Sequence, residues 1–252
     1  MRLALLAIPA VRSALSLEIG RDIEYHPALA STQDRARALA AAGSGPAVVV
    51  ADHQTAGRGT RGRSWVAPAG TSLLASWLFR PAPAEPGLFA LLAGVAVARA
   101  LARLGMSEAS LKWPNDVEAG HKKVAGALAH ATTDGEGGSL VLGIGVNVHQ
   151  GLDDFPPELR ATATSLALAA HSVDRLSLFV DITGELERAA KPAERQAALE
   201  EWRKRSTVLG REVEVTREGR PVVRGVARDI AEDGALLVGS ERVVVGDVRV
   251  LA

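Results

Sequence analysis

A chain of 252 residues, 47% hydrophobic and without cysteine, can bury one large core and a smaller second one, and it excludes disulfides and thiolate chemistry. Its 29 basic and 29 acidic side chains cancel, which argues against a general nucleic-acid binder, because such binding draws on a broad basic excess. The lack of cysteine suits a reducing compartment, and a cytoplasmic location is expected.

Residues 3–17 are apolar-rich behind Arg2 and superficially resemble a signal peptide, but Pro9 and Arg12 interrupt the run. They read as an amphipathic or poorly ordered lead-in, and no segment approaches the roughly 20 apolar residues of a spanning helix. Ser31-Thr32-Gln33-Asp34 starts a helix: a hydroxyl cap, an acid in the first turn, then Ala36, Leu39 and Ala40 on one face, with Gly43 as the stop. Residues 47–52 form a buried-type strand and 71–79 another, ended by Pro81 and Pro83. Pro86 opens a long apolar helix through Leu91, Val95, Ala98, Leu101 and Leu104, stopped by Gly105. Strands follow over 112–117, 123–132 and 139–149, then helices over 173–190 and 192–206. From there the texture changes to short strands over 213–215, 221–227, 235–238 and 242–250, an all-β module too small for a large core of its own.

Between the first two strands runs Gln54-Thr55-Ala56-Gly57-Arg58-Gly59-Thr60-Arg61-Gly62-Arg63-Ser64-Trp65. From His53 to Ala84 there is no acid, while Arg58, Arg61, Arg63 and Arg80 give a local charge of +4. Glycine lets backbone N–H groups approach a ligand, and arginine offers a fork of donors matched to phosphate or carboxylate. The loop is suited to something small and anionic. Three glycines and three like charges also predict that it lacks a fixed shape when empty. Gly57, Gly59 and Gly62 match a dinucleotide-binding fingerprint letter for letter, but Pro68 and Gly70 stand where that motif requires a helix. No Gly-Lys-Ser or Gly-Lys-Thr follows at phosphate-loop spacing either. A solvated surface loop is the plain alternative.

Two more segments carry chemistry. In Lys112-Trp113-Pro114-Asn115-Asp116 and Lys122-Lys123-Val124-Ala125-Gly126, Asp116 and Lys123 flank one hairpin turn, so cross-strand pairing can bring them together. A carboxylate, a lysine and an arginine loop are equipment for nucleotidyl transfer; a plain hairpin salt bridge is the alternative. Trp65 and Trp113 could stack on a flat ligand, although core packing is the commoner role. In Gly143-Ile144-Gly145-Val146-Asn147, alternating glycines suggest close backbone approach to a ligand, and Asn147 offers an amide to a base or ribose; a bulged core strand would read the same way.

Together, Ser31 to Gln33, Gln54 to Trp65, Lys112 to Asp116 continuing into Lys123 to Gly126, and Gly143 to Asn147 resemble, in order, the biotin protein ligases, the biotin–[acetyl-CoA-carboxylase] ligase family. The resemblance covers the chain from about Ser31 onward. It implies an α+β fold: a mixed-sheet catalytic domain of the biotin/lipoate ligase type over residues 1–206, and a small SH3-like β-barrel over 207–252. It also implies ATP-dependent formation of biotinyl-5′-AMP, then transfer of biotin to a lysine of a biotin carboxyl carrier domain of acetyl-CoA carboxylase or a related carboxylase.

By the same resemblance, Lys123, Arg58 and Asp116 are catalytic, and Ser31, Thr32, Gln33, Gln54, Arg58, Gly59, Thr60, Lys123 and Gly126 meet biotin. Arg61, Arg63, Trp65, Lys112, Asn115, Asp116, Gly143, Gly145 and Asn147 meet ATP or the adenylate, and Asp116 positions Mg²⁺. The protein is expected as a monomer or homodimer without membrane or DNA partners, because the stretch before Glu24 is too short for the winged helix of some relatives. Two departures stand out. Thr60 replaces an arginine common in the family, and Ser-Thr-Gln replaces Ser-Thr-Asn. A lipoate or octanoate ligase and a non-catalytic sensor of biotinyl-adenylate are the rival readings.

Overall fold

A computed structural model describes residues 22–134 and 137–251; the 3–17 lead-in lies outside them. β1 (Ile23–His26), β2 (Ala47–Ala51), β3 (Ser72–Phe79), β4 (Ser110–Lys112), β5 (Asp116–Ala119), β6 (Lys122–Thr132) and β7 (Ser139–Asn147) form a seven-stranded sheet in the order β1-β2-β3-β7-β6-β5-β4. β1 runs parallel to β2, and every other neighbouring pair is antiparallel.

Period-two alternation divides the sheet's faces. Val49, Leu78 and Val141 pack on Ala36 and Ala40 of α1 (Thr32–Ala41). Val48, Val50, Leu73 and Trp77 point the other way, into the main core with α2 (Phe89–Arg103), α3 (Arg175–Ala190) and α4 (Pro192–Arg205). α1 leaves part of its face open over β3, β7 and β6, and the cleft described below sits there. The segment Pro86–Arg103 is long and apolar enough to cross a membrane, but it is 67% buried, as the core helix between sheet and outer helices.

β8 (Glu212–Arg217), β9 (Arg220–Ile230), β10 (Leu236–Val238), β11 (Glu241–Val243) and β12 (Asp247–Val250) form a second, antiparallel sheet in the order β11-β10-β9-β8-β12. Its end strands β11 and β12 do not pair, so the expected barrel is an open sheet among the described residues. Its core is continuous with that of the large sheet. Trp113 is fully buried, and its Nε1 donates to the Gly234 carbonyl at 3.0 Å. Arg203 of α4 donates to Asp229 Oδ1 and to the Ile230 carbonyl, both at 2.7 Å.

Several expectations change. β1 carried no clear sequence signal. Residues 112–117 are not one strand: 113–115 form the turn of a β4–β5 hairpin, with Lys112 opposite Asp116. Pro86 opens a single 3-10 turn, Pro86–Leu88, and the α-helix begins only at Phe89. The 173–190 helix starts at Arg175, where the Asp174 side chain caps Ser177 N.

Candidate active site

An open cleft lies on the α1 side of the large sheet, lined by the start of α1, the glycine–arginine loop and the central strands. Its floor is three neighbouring strands. Gly145 and Gly143 of β7 face Gly126 and Leu128 of β6 on one side, and Leu74 and Ser76 of β3 on the other.

One end is neutral and polar. Gln54 Oε1 accepts from Thr32 N at 2.7 Å and from Thr32 Oγ1 at 3.0 Å. Thr32 Oγ1 lies 2.9 Å from Ser76 Oγ, which donates to Gln33 Oε1 at 3.2 Å. Gln33 Nε2 donates to the carbonyls of Val141 at 3.1 Å and Leu128 at 3.3 Å. Ser31 Oγ caps α1 by accepting from Asp34 N. Ser31, Thr32, Gln33 and Ser76 are all buried. Buried amides and hydroxyls stay because each finds a partner, and the chain hands a ligand a rigid row of donors and acceptors. Ser76 escaped the sequence reading. The signal was there: a polar residue in the middle of the apolar run from Leu73 to Phe79.

The other end is cationic. Lys123 Nζ stands 2.6 Å from Asp116 Oδ1 and 5.7 Å from the centroid of the Trp65 ring. Its backbone is held on both sides, N–H to the Thr162 carbonyl at 2.8 Å and carbonyl to Thr164 N at 2.9 Å. A bulge between Val117 and Glu118 shifts the β5–β6 register, setting Asp116 opposite Gly126 and Glu118 opposite Lys123. The Lys123–Asp116 contact is therefore diagonal. Asn115 Nδ2 donates to the Ala127 carbonyl at 2.6 Å and fixes the turn that presents Asp116.

The glycine–arginine loop is a closed hairpin. Trp65 N donates to the Gly57 carbonyl at 2.9 Å and Gly59 N to the Arg63 carbonyl at 2.6 Å, with a 3-10 turn, Thr60–Gly62, at the tip. No helix follows, consistent with rejecting a dinucleotide fingerprint. The arginines do not repel one another unopposed, as the loop sequence alone suggested. Arg58 Nε contacts both carboxylate oxygens of Asp34, at 2.9 and 2.8 Å, and Asp247 pairs with Arg61 and Arg63. Both acids come from outside the loop.

The glycines of β7 lie on the cleft floor, where they permit close approach. A Cβ on Gly145 would lie 2.7 Å from ring carbons of Trp65, and one on Gly143 would lie 2.4 Å from Gln33 Oε1. They make room for protein side chains at the cleft floor. Trp65 closes that wall, its indole N–H shielded and without a hydrogen-bond partner among the described residues, whereas Trp113 belongs to the core. Asn147 does not line the cleft: its Nδ2 donates to the Thr164 carbonyl at 3.0 Å, and its Oδ1 accepts from Gln150 at 2.9 Å. Lys112, Arg61 and Arg63 also lie off the lining, as does Asp116, which reaches it through Lys123. Ser31, Thr32, Gln33, Gln54, Arg58, Gly59, Thr60, Trp65, Asn115, Lys123, Gly126, Gly143 and Gly145 are brought together around it.

Among the described residues, no group of three or more His, Asp or Glu side chains could hold a metal ion. Asp116, the residue singled out for Mg²⁺, is a lone carboxylate already taken by Lys123. This donor set does not form a resident magnesium site.

Residues 27–147 match the biotin/lipoate A/B protein ligase family, and residues 208–248 match the biotin protein ligase C-terminal domain. The chain is 39% identical over 230 residues to the biotin–[acetyl-CoA-carboxylase] ligase of Mycobacterium tuberculosis, covering 84% of this chain and 82% of that one. It is 38% identical over 179 residues to the bifunctional ligase/repressor BirA of Bacillus subtilis, covering 68% of this chain and 55% of that relative's length. The fold is similar to the biotin protein ligase of Aquifex aeolicus in complex with biotin and ATP, with a TM-score of 0.78, 26% identity, and 92% of this chain and 100% of that chain covered.

Proposed function

Since the chain belongs to the biotin protein ligase family, we propose that it joins biotin to AMP at the expense of ATP, then passes biotin to a lysine of a carboxyl carrier domain. The observation that carries this reading is the polarity of one cleft: a neutral hydrogen-bonding end and a cationic end on the same floor. Biotin has that polarity, a ureido ring with donors and an acceptor at one end and a carboxylate at the other. The relatives' names supply the kind of acceptor, the carrier of acetyl-CoA carboxylase.

In this proposal, Ser31, Thr32, Gln33, Gln54 and Ser76 address the ureido ring. Lys123 and Arg58 address the carboxylate and the α-phosphate. Two anions must meet, so cations have to screen their repulsion in a site of low dielectric. A carboxylate oxygen attacks the α-phosphorus; the bond to the β-phosphate bridging oxygen breaks, and pyrophosphate leaves with the electron pair. In the second step, a neutral lysine nitrogen attacks the acyl carbon. The acyl C–O bond breaks, AMP departs, and the ammonium proton is lost. The chain's contribution is placement and charge, as in phosphoryl transfer generally. Magnesium belongs here to the ATP substrate complex, in keeping with its habit of binding through phosphates.

We assign residues 1–206 to the catalytic domain and 207–252 to the C-terminal module; the change from helix to short strands after Arg205 supports that boundary. The test is pyrophosphate release from ATP with biotin, lipoate and octanoate offered separately. Release with biotin alone is expected. Equal release with lipoate would overturn the substrate assignment in favour of a lipoate ligase.

A further inference from the structure

β7 does not reach Lys123. At this end the β6–β7 ladder starts with Ala125 opposite Val146, and β7 stops at Asn147. The place beside Lys123 is taken by residues 162–164, through a parallel bridge between Lys123 and Ala163. Lys123 N donates to the Thr162 carbonyl at 2.8 Å, and Thr164 N donates to the Lys123 carbonyl at 2.9 Å. The lysine is thus backed on this side by a connecting segment in place of a strand, and its aim depends on what holds that segment.

A chain of buried polar groups holds it. Asn147 Nδ2 donates to the Thr164 carbonyl at 3.0 Å, and Gln150 Nε2 donates to Asn147 Oδ1 at 2.9 Å and to Ser72 Oγ at 2.6 Å. Ser165 Oγ donates to the Gln150 carbonyl at 2.6 Å. Ser72, Asn147, Gln150, Thr164 and Ser165 are all buried. The orientations follow from one end. A carbonyl only accepts, so Asn147 turns its Nδ2 to Thr164 and its Oδ1 to Gln150, which then has to donate. Gln150 Oε1 is left buried without a partner among the described residues. An unpaired buried oxygen costs stability, so packing alone does not account for a glutamine here. What Gln150 supplies is the pair of N–H bonds that aligns Asn147.

We propose that Gln150 is a positioning residue for Lys123. It fixes the amide of Asn147, Asn147 holds residues 162–164, and these brace the Lys123 backbone so that the ammonium meets the reacting carboxylate and phosphate at one place. The inference rests on the ligase reading for what Lys123 does, but the brace itself does not. Buried hydrogen-bond networks rigidify what they connect, and a small misplacement of a catalytic group lowers the rate steeply.

The test is a double-mutant cycle. Gln150→Met keeps an unbranched chain of similar length and removes both N–H donors. In biotin-dependent pyrophosphate release its kcat should fall about tenfold, with KM for biotin changed by less than about twofold. On a Lys123→Ala background the same substitution should cost less than about twofold further, because the residue it positions is gone. An unchanged kcat in the single variant, a loss carried by KM for biotin, or a second loss of about tenfold on Lys123→Ala would overturn the proposal. A readout without substrate is hydrogen exchange at the Lys123 and Thr164 amides, which should be severalfold faster in Gln150→Met; unchanged exchange would also overturn it. Should Gln150→Met not fold, Ser165→Ala removes the bond to the Gln150 carbonyl. A loss of about threefold is expected there, again absent on Lys123→Ala, and an unchanged kcat would count against the brace. Failure of the ligase reading would show separately, as wild-type protein that releases no pyrophosphate with biotin.

Discussion

Lys123 and Asp116 meet at 2.6 Å although they do not face each other in the ladder. Without the bulge between Val117 and Glu118 the register would set Lys123 opposite Ala119, on the other face of the sheet; the bulge sets it opposite Glu118 and so on the same face as Asp116, and the ammonium emerges at the cleft wall with its counter-ion behind it. A cation held this way is aimed before substrate arrives and need not reorganise during reaction.

Lys123→Ala should depress adenylate formation by on the order of 10²-fold, because a cation facing developing charge in a water-poor site is worth about 3 kcal/mol. The fold should survive, since the side chain is one-third exposed. Rapid-quench measurement of biotin-dependent pyrophosphate release checks this. A near-normal rate would move the role to Lys122 or Lys112.

Gly145→Ala should disturb the cleft without adding any charge. The new methyl would meet the Trp65 ring at 2.7 Å, and overpacking of this kind costs about 1–3 kcal/mol. Because Trp65 is only half-buried, the indole is expected to swing off the floor and the melting temperature to change little. Tryptophan emission, compared with a Trp65→Phe background, should shift toward that of exposed indole, and KM for biotin should rise about tenfold. Unshifted emission with unchanged KM would mean that the glycine pair does not seat Trp65.

Thr60→Arg tests the main departure from the family. Thr60 Oγ1 accepts from Arg63 Nη2 at 2.9 Å and supplies no charge of its own. The wild type should release preformed biotinyl-adenylate about fivefold faster than Thr60→Arg, the size of one charge-assisted hydrogen bond discounted for exposure. The dissociation rate is the primary readout, and stray labelling of a bystander protein is the second. An equal or slower wild-type rate would show that position 60 does not govern retention.

The junction with the C-terminal module should be acid-sensitive. Burial alone would raise the Asp229 carboxyl, but hydrogen bonds from Arg203 and Ile230 N–H outweigh it and hold the group below its ordinary value. A depressed carboxylate contributes stability that is present above its unfolded value and lost as pH falls through the folded one. Thermal melts below about pH 4 should lose this contribution in the wild type, and Asp229→Asn should show a shallower acid limb. Parallel acid limbs would mean that the pair does not hold the junction.

The parts of the site legible in the sequence are those whose chemistry is local. Gln54 to Trp65 carries its glycines, arginines and absent acids in one stretch, and Ser31 to Asp34 announces its own cap. What could not be read comes from elsewhere in the chain. Asp34 and Asp247, the acids that neutralise the loop, lie 24 and 186 residues from Arg58 and Arg61. The glycines at 143 and 145 signal close approach, but only the packed sheet shows Gln33 and Trp65 as the groups that approach. Residues 112–117 looked like one strand because β-rich residues flank the turn on both sides. The C-terminal strands were visible as turn-separated runs, whereas barrel closure depends on pairing between β11 and β12, which no local signal encodes.

The central claim is that one cleft couples a carboxylate to AMP and hands the acyl group to a lysine. The most direct measurement is the mass of what the protein holds. The enzyme is incubated with biotin and ATP, freed of unbound small molecules, denatured, and its released ligand identified by mass spectrometry. Biotinyl-5′-AMP is predicted, disappearing on addition of a biotin carboxyl carrier domain as one lysine of that domain gains a single biotinyl group. Recovery of unreacted biotin and ATP, or of ADP in place of AMP, would contradict the account.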